Sequence, residues 1–212
     1  MKTENLIRAL AADQAGPKTP MTLALALGLL PGIILSILVY AIALGPRPHL
    51  MAMLPEPRIL FKLIFPWVLL ACALPTAQRL VRPGADLRAC LIMFGVLALI
   101  LAAAVVTKLL VVPEAHWHAS LMGHYAAACV FFVPVLSFGP LVGALIVLKR
   151  GAPTNPTLAG AGAGLLAAAM GAAIYATHCP DDSPLFFATW YGLATIIVVM
   201  IGAIAGRRFL RW

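Results

Sequence analysis

The densest group of chemically reactive side chains in this chain is the polar stretch THCPDDSPLFFATWY, which begins at residue 177. His178, Cys179, Asp181 and Asp182 place an imidazole, a thiol and two carboxylates within five residues. Four roles are open to the cysteine: inert packing, a structural disulfide, a reversible thiol pair, or ligation of a soft or borderline metal ion together with imidazole. The spacing matches no familiar zinc motif, so the stretch alone does not decide between them.

The composition of the chain places this stretch in a membrane protein. Of its 212 residues, 63% are hydrophobic and only 10% are charged, whereas a soluble domain carries about 25% charged residues. The sequence therefore predicts an all-α integral membrane bundle of six transmembrane helices. The expected spans are 22–44, 59–78, 91–110, a segment within 120–148, 157–176 and 185–205.

The distribution of lysine and arginine predicts the orientation of the bundle. With the amino terminus inside, the inner segments hold eleven basic residues, namely Lys2, Arg8, Lys18, Arg79, Arg82, Arg88, Lys149, Arg150, Arg207, Arg208 and Arg211. The outer side holds four, namely Arg47, Arg58, Lys62 and Lys108. This positive-inside bias predicts that both termini are cytoplasmic, and it explains the net charge of +8 without a nucleic-acid partner. Lys62 and Lys108 lie near the outer ends of their spans, where their side chains can snorkel.

Counting residues from the inner ends of the spans indicates the depth of each cysteine. About 20 residues cross the bilayer, which brings Cys129 and Cys179 to the same outer level on helices adjacent in sequence. Their Cα atoms could then approach to within the roughly 4.4–6.8 Å that a disulfide requires. Cys72 and Cys90 lie elsewhere in the spans and are interpreted as small apolar packing residues.

Several polar neighbours could assist this cysteine pair as metal or polar ligands: His124, His178, Asp181 and Asp182. Each also has a simpler interpretation. The histidines could form interfacial hydrogen bonds, and the aspartates could favour the positive end of the following helix. We expect Ser183 to be the N-cap of that helix, with Pro184 at its first position.

The amino-terminal segment, residues 1–20, is predicted to be a separate cytoplasmic unit before the transmembrane domain of residues 21–212. In MKTENLIRALAADQAG, Thr3 can cap a short amphipathic helix. Such a helix could lie on the inner leaflet or bind in the groove of a cytosolic partner. The candidate partner-binding residues are Glu4, Leu6, Ile7, Arg8, Leu10 and Asp13.

The spans carry no acidic residue near their middle, which argues against a transporter or a proton pump. A membrane thiol-redox enzyme of the quinone-linked disulfide-forming kind is the alternative function. It is disfavoured because the chain has no closely spaced cysteine pair. We therefore expect a protein that is not an enzyme.

Three segments together resemble the NrsF-like anti-sigma factors: MKTENLIRALAAD, CVFFVPVLSFGP and the stretch THCPDDSPLFFATWY. The resemblance implies a multi-pass protein of the bacterial inner membrane that holds an extracytoplasmic-function sigma factor inactive. Release would follow periplasmic heavy-metal or oxidative stress. By position, Cys129 and Cys179 would be the responsive cysteines, and residues 1–20 would contact the sigma factor. No resident cofactor is implied, and at most a transient metal ion would bind the cysteine pair.

Overall fold

The structure is a computed structural model that describes residues 3, 4, 7 and 20–211, and all regular structure among these residues is helical. The long helices are α1 (Met21–Ala43), α2 (Pro57–Leu80), α3 (Arg88–Val111), α4 (Ala126–Leu148), α5 (Pro156–Ala176) and α6 (Pro184–Phe209). All six lie in stretches long and apolar enough to cross a bilayer. The predicted helical spans are therefore confirmed to within a few residues at most ends.

Short elements on the loops complete the chain. Leu50–Met53 is a helical turn between α1 and α2, and Glu114–His116 is a 3₁₀ turn followed by the helix Trp117–Met122. A π-helical turn, Phe187–Tyr191, interrupts the first part of α6. Such turns widen the helix locally and are frequent at functional sites.

Proline starts three of the long helices, because its missing N–H is not needed in the first turn. These residues are Pro57, Pro156 and Pro184. The side chain of Asn155 caps α5 by accepting a hydrogen bond from the Leu158 N–H at 3.1 Å. Ser183 does precede α6, but its hydroxyl is buried without a hydrogen-bond partner. The predicted position of this cap is therefore right, and the predicted side-chain cap is wrong.

Helix α5 forms the centre of the bundle and packs against α2, α4 and α6. Most of its residues are buried glycine or alanine, which allow the main chains of neighbouring helices to approach closely. A Cβ atom at Gly160 would overlap the main chain of α6 at Gly202 and Gly206. Helix α3 lies at the edge, and few of its residues are buried.

Helix α1 packs against α4 through a second close approach. The main chains meet at Gly32 and Gly139, where a Cβ atom on Gly32 would overlap the carbonyl group of Gly139. The Ser36 hydroxyl, one turn further along, hydrogen-bonds to the carbonyl oxygen of Leu136 at 2.6 Å. Helices α1 and α4 are thus held in a defined register.

We expect Gly32→Ala to lower the free energy of unfolding by about 1–3 kcal/mol, because the added methyl group has no room against Gly139. Gly95→Ala is the matched control, since nothing lies within 4 Å of its Cβ position. The measurement is the thermal unfolding midpoint in detergent micelles. Equal midpoints for the two variants would contradict the close α1–α4 contact.

Candidate functional site

The thiol pair, Cys129 and Cys179, lies where the first turn of α4 meets the loop after α5. The two sulfur atoms are 4.0 Å apart, and both residues are completely buried. Neither cysteine forms a disulfide. The structure thus brings together the two residues that the depth count places at one level, while their role remains a prediction.

Two tyrosine side chains, from α5 and from the π-helical turn, lie against the thiol pair. Tyr175 lies next to Cys129, and Tyr191 lies next to Cys179 at the end of the π-helical turn. Both hydroxyl groups are buried, each close to one of the two sulfur atoms, and the two rings are 5.8 Å apart between centroids. The pair is therefore buried beside these two rings.

The loop that carries Cys179 is fastened to the carboxy-terminal end of α1 and the residues just after it by three contacts. The hydroxyl groups of Tyr40 and Thr177 are 2.6 Å apart, and the Arg47 N–H donates to the carbonyl oxygen of Thr177 at 3.1 Å. His178 Nδ1 lies 2.8 Å from the carbonyl oxygen of Gly45. The imidazole of His178 is thus engaged with the main chain at Nδ1.

Asp182 joins the same loop to both α1 and α2. Arg47, just beyond α1, donates to both oxygens of its carboxylate at 3.0 and 2.9 Å. Lys62 of α2 donates to the Asp182 carboxylate at 3.0 Å, to the carbonyl oxygen of Asp181 at 3.0 Å, and to that of Cys179. The Lys62 side chain is only 2% exposed. The prediction that Lys62 snorkels is therefore wrong, because the loop supplies acceptors for its ammonium group inside the protein.

Asp181 has a different role, at the start of α4. One oxygen of its carboxylate accepts hydrogen bonds from the main-chain N–H groups of His124 and Tyr125 at 3.0 and 2.9 Å. This is the favourable placement of a negative charge at a helix amino terminus. The imidazole of His124 is 90% exposed, with Nδ1 3.6 Å from the other carboxylate oxygen. Asp181 thus ties the Cys179 loop to the helix that carries Cys129.

The four residues expected as auxiliary ligands lie on the Cys179 loop or just before α4, and each has at least one nitrogen or oxygen atom near a protein group. Within residues 3, 4, 7 and 20–211, no group of three or more histidine, cysteine, aspartate or glutamate side chains could hold a metal ion. The soft donors that remain for a metal are the two sulfur atoms. Metal binding at the pair stays a prediction.

The electrostatics of the loop favour a thiolate at Cys179. The pKa of its thiol is lowered to about 7, first because the Cys129 thiol hydrogen-bonds to its sulfur and also because the Lys62 ammonium group is close; burial acts in the opposite direction. A neighbouring cation lowers the pKa of a thiol and so favours the thiolate, which is the nucleophilic form.

The structure describes two of the six candidate partner-binding residues near the amino terminus. Glu4 and Ile7 are helical and exposed, and the Ile7 side chain is 62% exposed. Leu6, Arg8, Leu10 and Asp13 lie outside the described residues. The division of the chain into a cytoplasmic segment, 1–20, and a transmembrane domain, 21–212, therefore stays a prediction.

Sequence reasoning missed Arg47 and Lys62 as parts of the site. A usable signal was present in the predicted topology, because both cations and the pair Asp181–Asp182 are assigned to the same outer side. Opposite charges on one side of a membrane protein, near a span end, are candidates for pairing. The distances above show that this pairing takes place.

The chain is similar to known regulatory proteins over its whole length. Residues 10–212 match the family described as "Negative regulator of sigma F". The anti-sigma-F factor NrsF of Caulobacter vibrioides is 33% identical over 216 residues, and the probable anti-sigma-F factor NrsF of Azospira oryzae is 33% identical over 215 residues. Each alignment covers all of both chains. No solved structure matches the chain.

We expect the ultraviolet absorbance of the protein to show one thiolate that appears with a midpoint near pH 7, since the pKa of Cys179 is lowered to about 7. Below that pH the thiolate is protonated, and the absorbance falls. Cys179→Ser should remove this titration, whereas Cys72→Ser should leave it in place. A midpoint at the ordinary cysteine value of about 8.5 would contradict the described electrostatics.

Proposed function

Because the chain belongs to the family of negative regulators of sigma F, we propose that it binds an extracytoplasmic-function sigma factor and releases it when the Cys129–Cys179 pair is oxidised. As an anti-sigma factor it is a regulator and not an enzyme, which sets aside a quinone-linked disulfide-forming enzyme. The observation that supports the sensing role is the 4.0 Å distance between two buried sulfur atoms at one end of the bundle.

The proposed location is the bacterial inner membrane, with both termini in the cytoplasm. Six helices are long and apolar enough to span a membrane, and an even number of spans would leave the two ends of the chain on the same side. The basic residues at the ends of α2, α4 and α6 favour the cytoplasm for that side, by the positive-inside rule. The thiol pair would then face the periplasm, where oxidants and metal ions arrive from outside.

Oxidation would convert the pair into a disulfide. A hydroperoxide is a suitable oxidant: it accepts two electrons from the two sulfurs and leaves as an alcohol and water, taking up the two thiol protons. The sulfur atoms must move from 4.0 Å to the bonded distance of about 2.05 Å. A thiophilic metal ion would act on the same sulfur atoms, so the same variants test both signals.

Helix α1 is the proposed route from the thiol pair to the cytoplasm. Its outer end is fastened to the Cys179 loop through Tyr40, Gly45 and Arg47. It packs along α4, which carries Cys129, and its inner end at Met21 directly follows residues 1–20. A shift of the sulfur atoms would therefore act on both partners of the α1–α4 contact.

The size of the change in sigma-factor affinity depends on how differently the sigma factor binds the two states of the bundle. The sigma factor must bind one state of the bundle more tightly than the other. A typical coupling free energy of about 1–3 kcal/mol would change its affinity roughly 5- to 150-fold. That range is sufficient for regulated release.

We expect Ile7→Asp to weaken binding of the sigma factor by about tenfold or more, because an exposed apolar side chain on a short helix would be an anchor in a binding groove. Ile7→Leu is the matched control and should retain binding. Co-purification of the sigma factor with the full-length protein from reduced membranes is the measurement. Undiminished binding by Ile7→Asp, and also after deletion of residues 1–20, would exclude this segment as the contact.

Cys129→Ser and Cys179→Ser should each retain the sigma factor and fail to release it after treatment with hydroperoxide, because neither variant can form the disulfide. Cys90→Ser should release the sigma factor like the unmodified protein, because the Cys90 sulfur lies 3.5 Å from Arg79 and away from the thiol pair. The measurement is the amount of sigma factor that remains bound to washed membranes. Normal release by both serine variants would refute sensing by the pair, and a parallel cadmium treatment distinguishes a metal signal from oxidation.

A further inference from the structure

Lys62 is a cation buried within a membrane span. It lies in α2, is 2% exposed, and donates to three acceptors of the Cys179 loop. An ammonium group has three protons to donate, so the loop accounts for all of them. One acceptor is the carbonyl oxygen of Cys179, the residue whose sulfur faces Cys129.

The charges around Lys62 do not balance. Arg47 and Lys62 supply two positive charges to the single carboxylate of Asp182, and the three side chains are 7%, 2% and 12% exposed. The Asp181 carboxylate faces the main-chain N–H groups of residues 124 and 125. An uncompensated buried charge is costly, and a thiolate at Cys179, whose carbonyl oxygen already accepts from Lys62, could compensate it.

We propose that Lys62 and Arg47 are positioning residues for the thiol pair: with Asp182 they hold Cys179 against Cys129, and their excess positive charge stabilises the reduced pair as one thiol and one thiolate. This inference rests on the proposed function, since it concerns the same cysteine pair. The lowered pKa of Cys179 agrees with it.

The excess charge makes oxidation an electrostatic event as well as a covalent one. A thiol–thiolate pair gives two electrons to a hydroperoxide, which leaves as an alcohol and hydroxide after taking up the remaining thiol proton. The disulfide that forms is neutral. Arg47 and Lys62 are then left with only the Asp182 carboxylate.

The test is the equilibrium between dithiol and disulfide in glutathione buffers, measured on the full-length protein in detergent micelles. Each disulfide that is reduced consumes two glutathione thiols and yields one glutathione disulfide. We expect Lys62→Gln to raise the equilibrium constant for disulfide formation about tenfold, which is about 30 mV for a two-electron couple. The glutamine can still donate to the Cys179 carbonyl, but it no longer stabilises the thiolate.

A merely structural role for Lys62 predicts the opposite sign. A loosened loop would separate the sulfur atoms and make the disulfide less stable than in the unmodified protein. Lys62→Arg should restore a nearly unchanged equilibrium. Lys108→Gln is the control, because the Lys108 side chain forms no ion pair within the described part of the chain.

An unchanged or reduced equilibrium constant in Lys62→Gln would overturn the proposal. Should that variant not accumulate in the membrane, Arg47→Gln removes the other cation and must give an increase of the same sign, or the proposal is likewise overturned. Sigma-factor binding is measured on the same preparations. Its absence from the unmodified protein would refute the proposed function, while the thiol equilibrium would still decide the role of Lys62.

Discussion

The carboxylate of Asp182, shared by Lys62 and Arg47, is the contact on which the end of the bundle around the thiol pair depends. The two cations belong to α2 and to the segment after α1, and the carboxylate belongs to the loop between α5 and α6. Removing one member of a buried ion pair costs about 3–5 kcal/mol, so this loop cannot detach independently. Cys179 lies in that loop, and its sulfur is therefore held next to Cys129 by charges on α2 and on the segment after α1.

The rest of the bundle is built for close main-chain packing. Helices in lipid gain little from burying apolar side chains, so association depends on tight packing and on hydrogen bonds between helices. Gly160 against Gly202 and Gly32 against Gly139 provide the packing, and Ser36 provides a bond between α1 and α4. Close-packed interfaces of this kind change between discrete arrangements and do not deform continuously, which suits the proposed transmission of a change from one end of the bundle to the other.

Much of the fold was predictable from hydropathy, because a span must be long and apolar whatever its neighbours are. The shared depth of Cys129 and Cys179 was also predictable, since helix rise per residue is fixed. Lys62 was misassigned because snorkelling and burial look identical in one sequence; only the folded loop shows that acceptors come to the ammonium group. The sequence also did not distinguish the roles of Asp181 and Asp182, because their partners lie far away along the chain. Asp182 pairs with Lys62, whereas Asp181 accepts from the main-chain N–H of Tyr125.

The most direct test is to follow the thiol pair and the sigma factor together in membranes exposed to increasing hydroperoxide. Differential alkylation and mass spectrometry give the fraction of protein with a Cys129–Cys179 disulfide, and the same samples give the fraction of sigma factor released. We expect the two fractions to rise together while Cys72 and Cys90 stay alkylated as free thiols. Release of the sigma factor while Cys129 and Cys179 both remain reduced would contradict sensing by this pair.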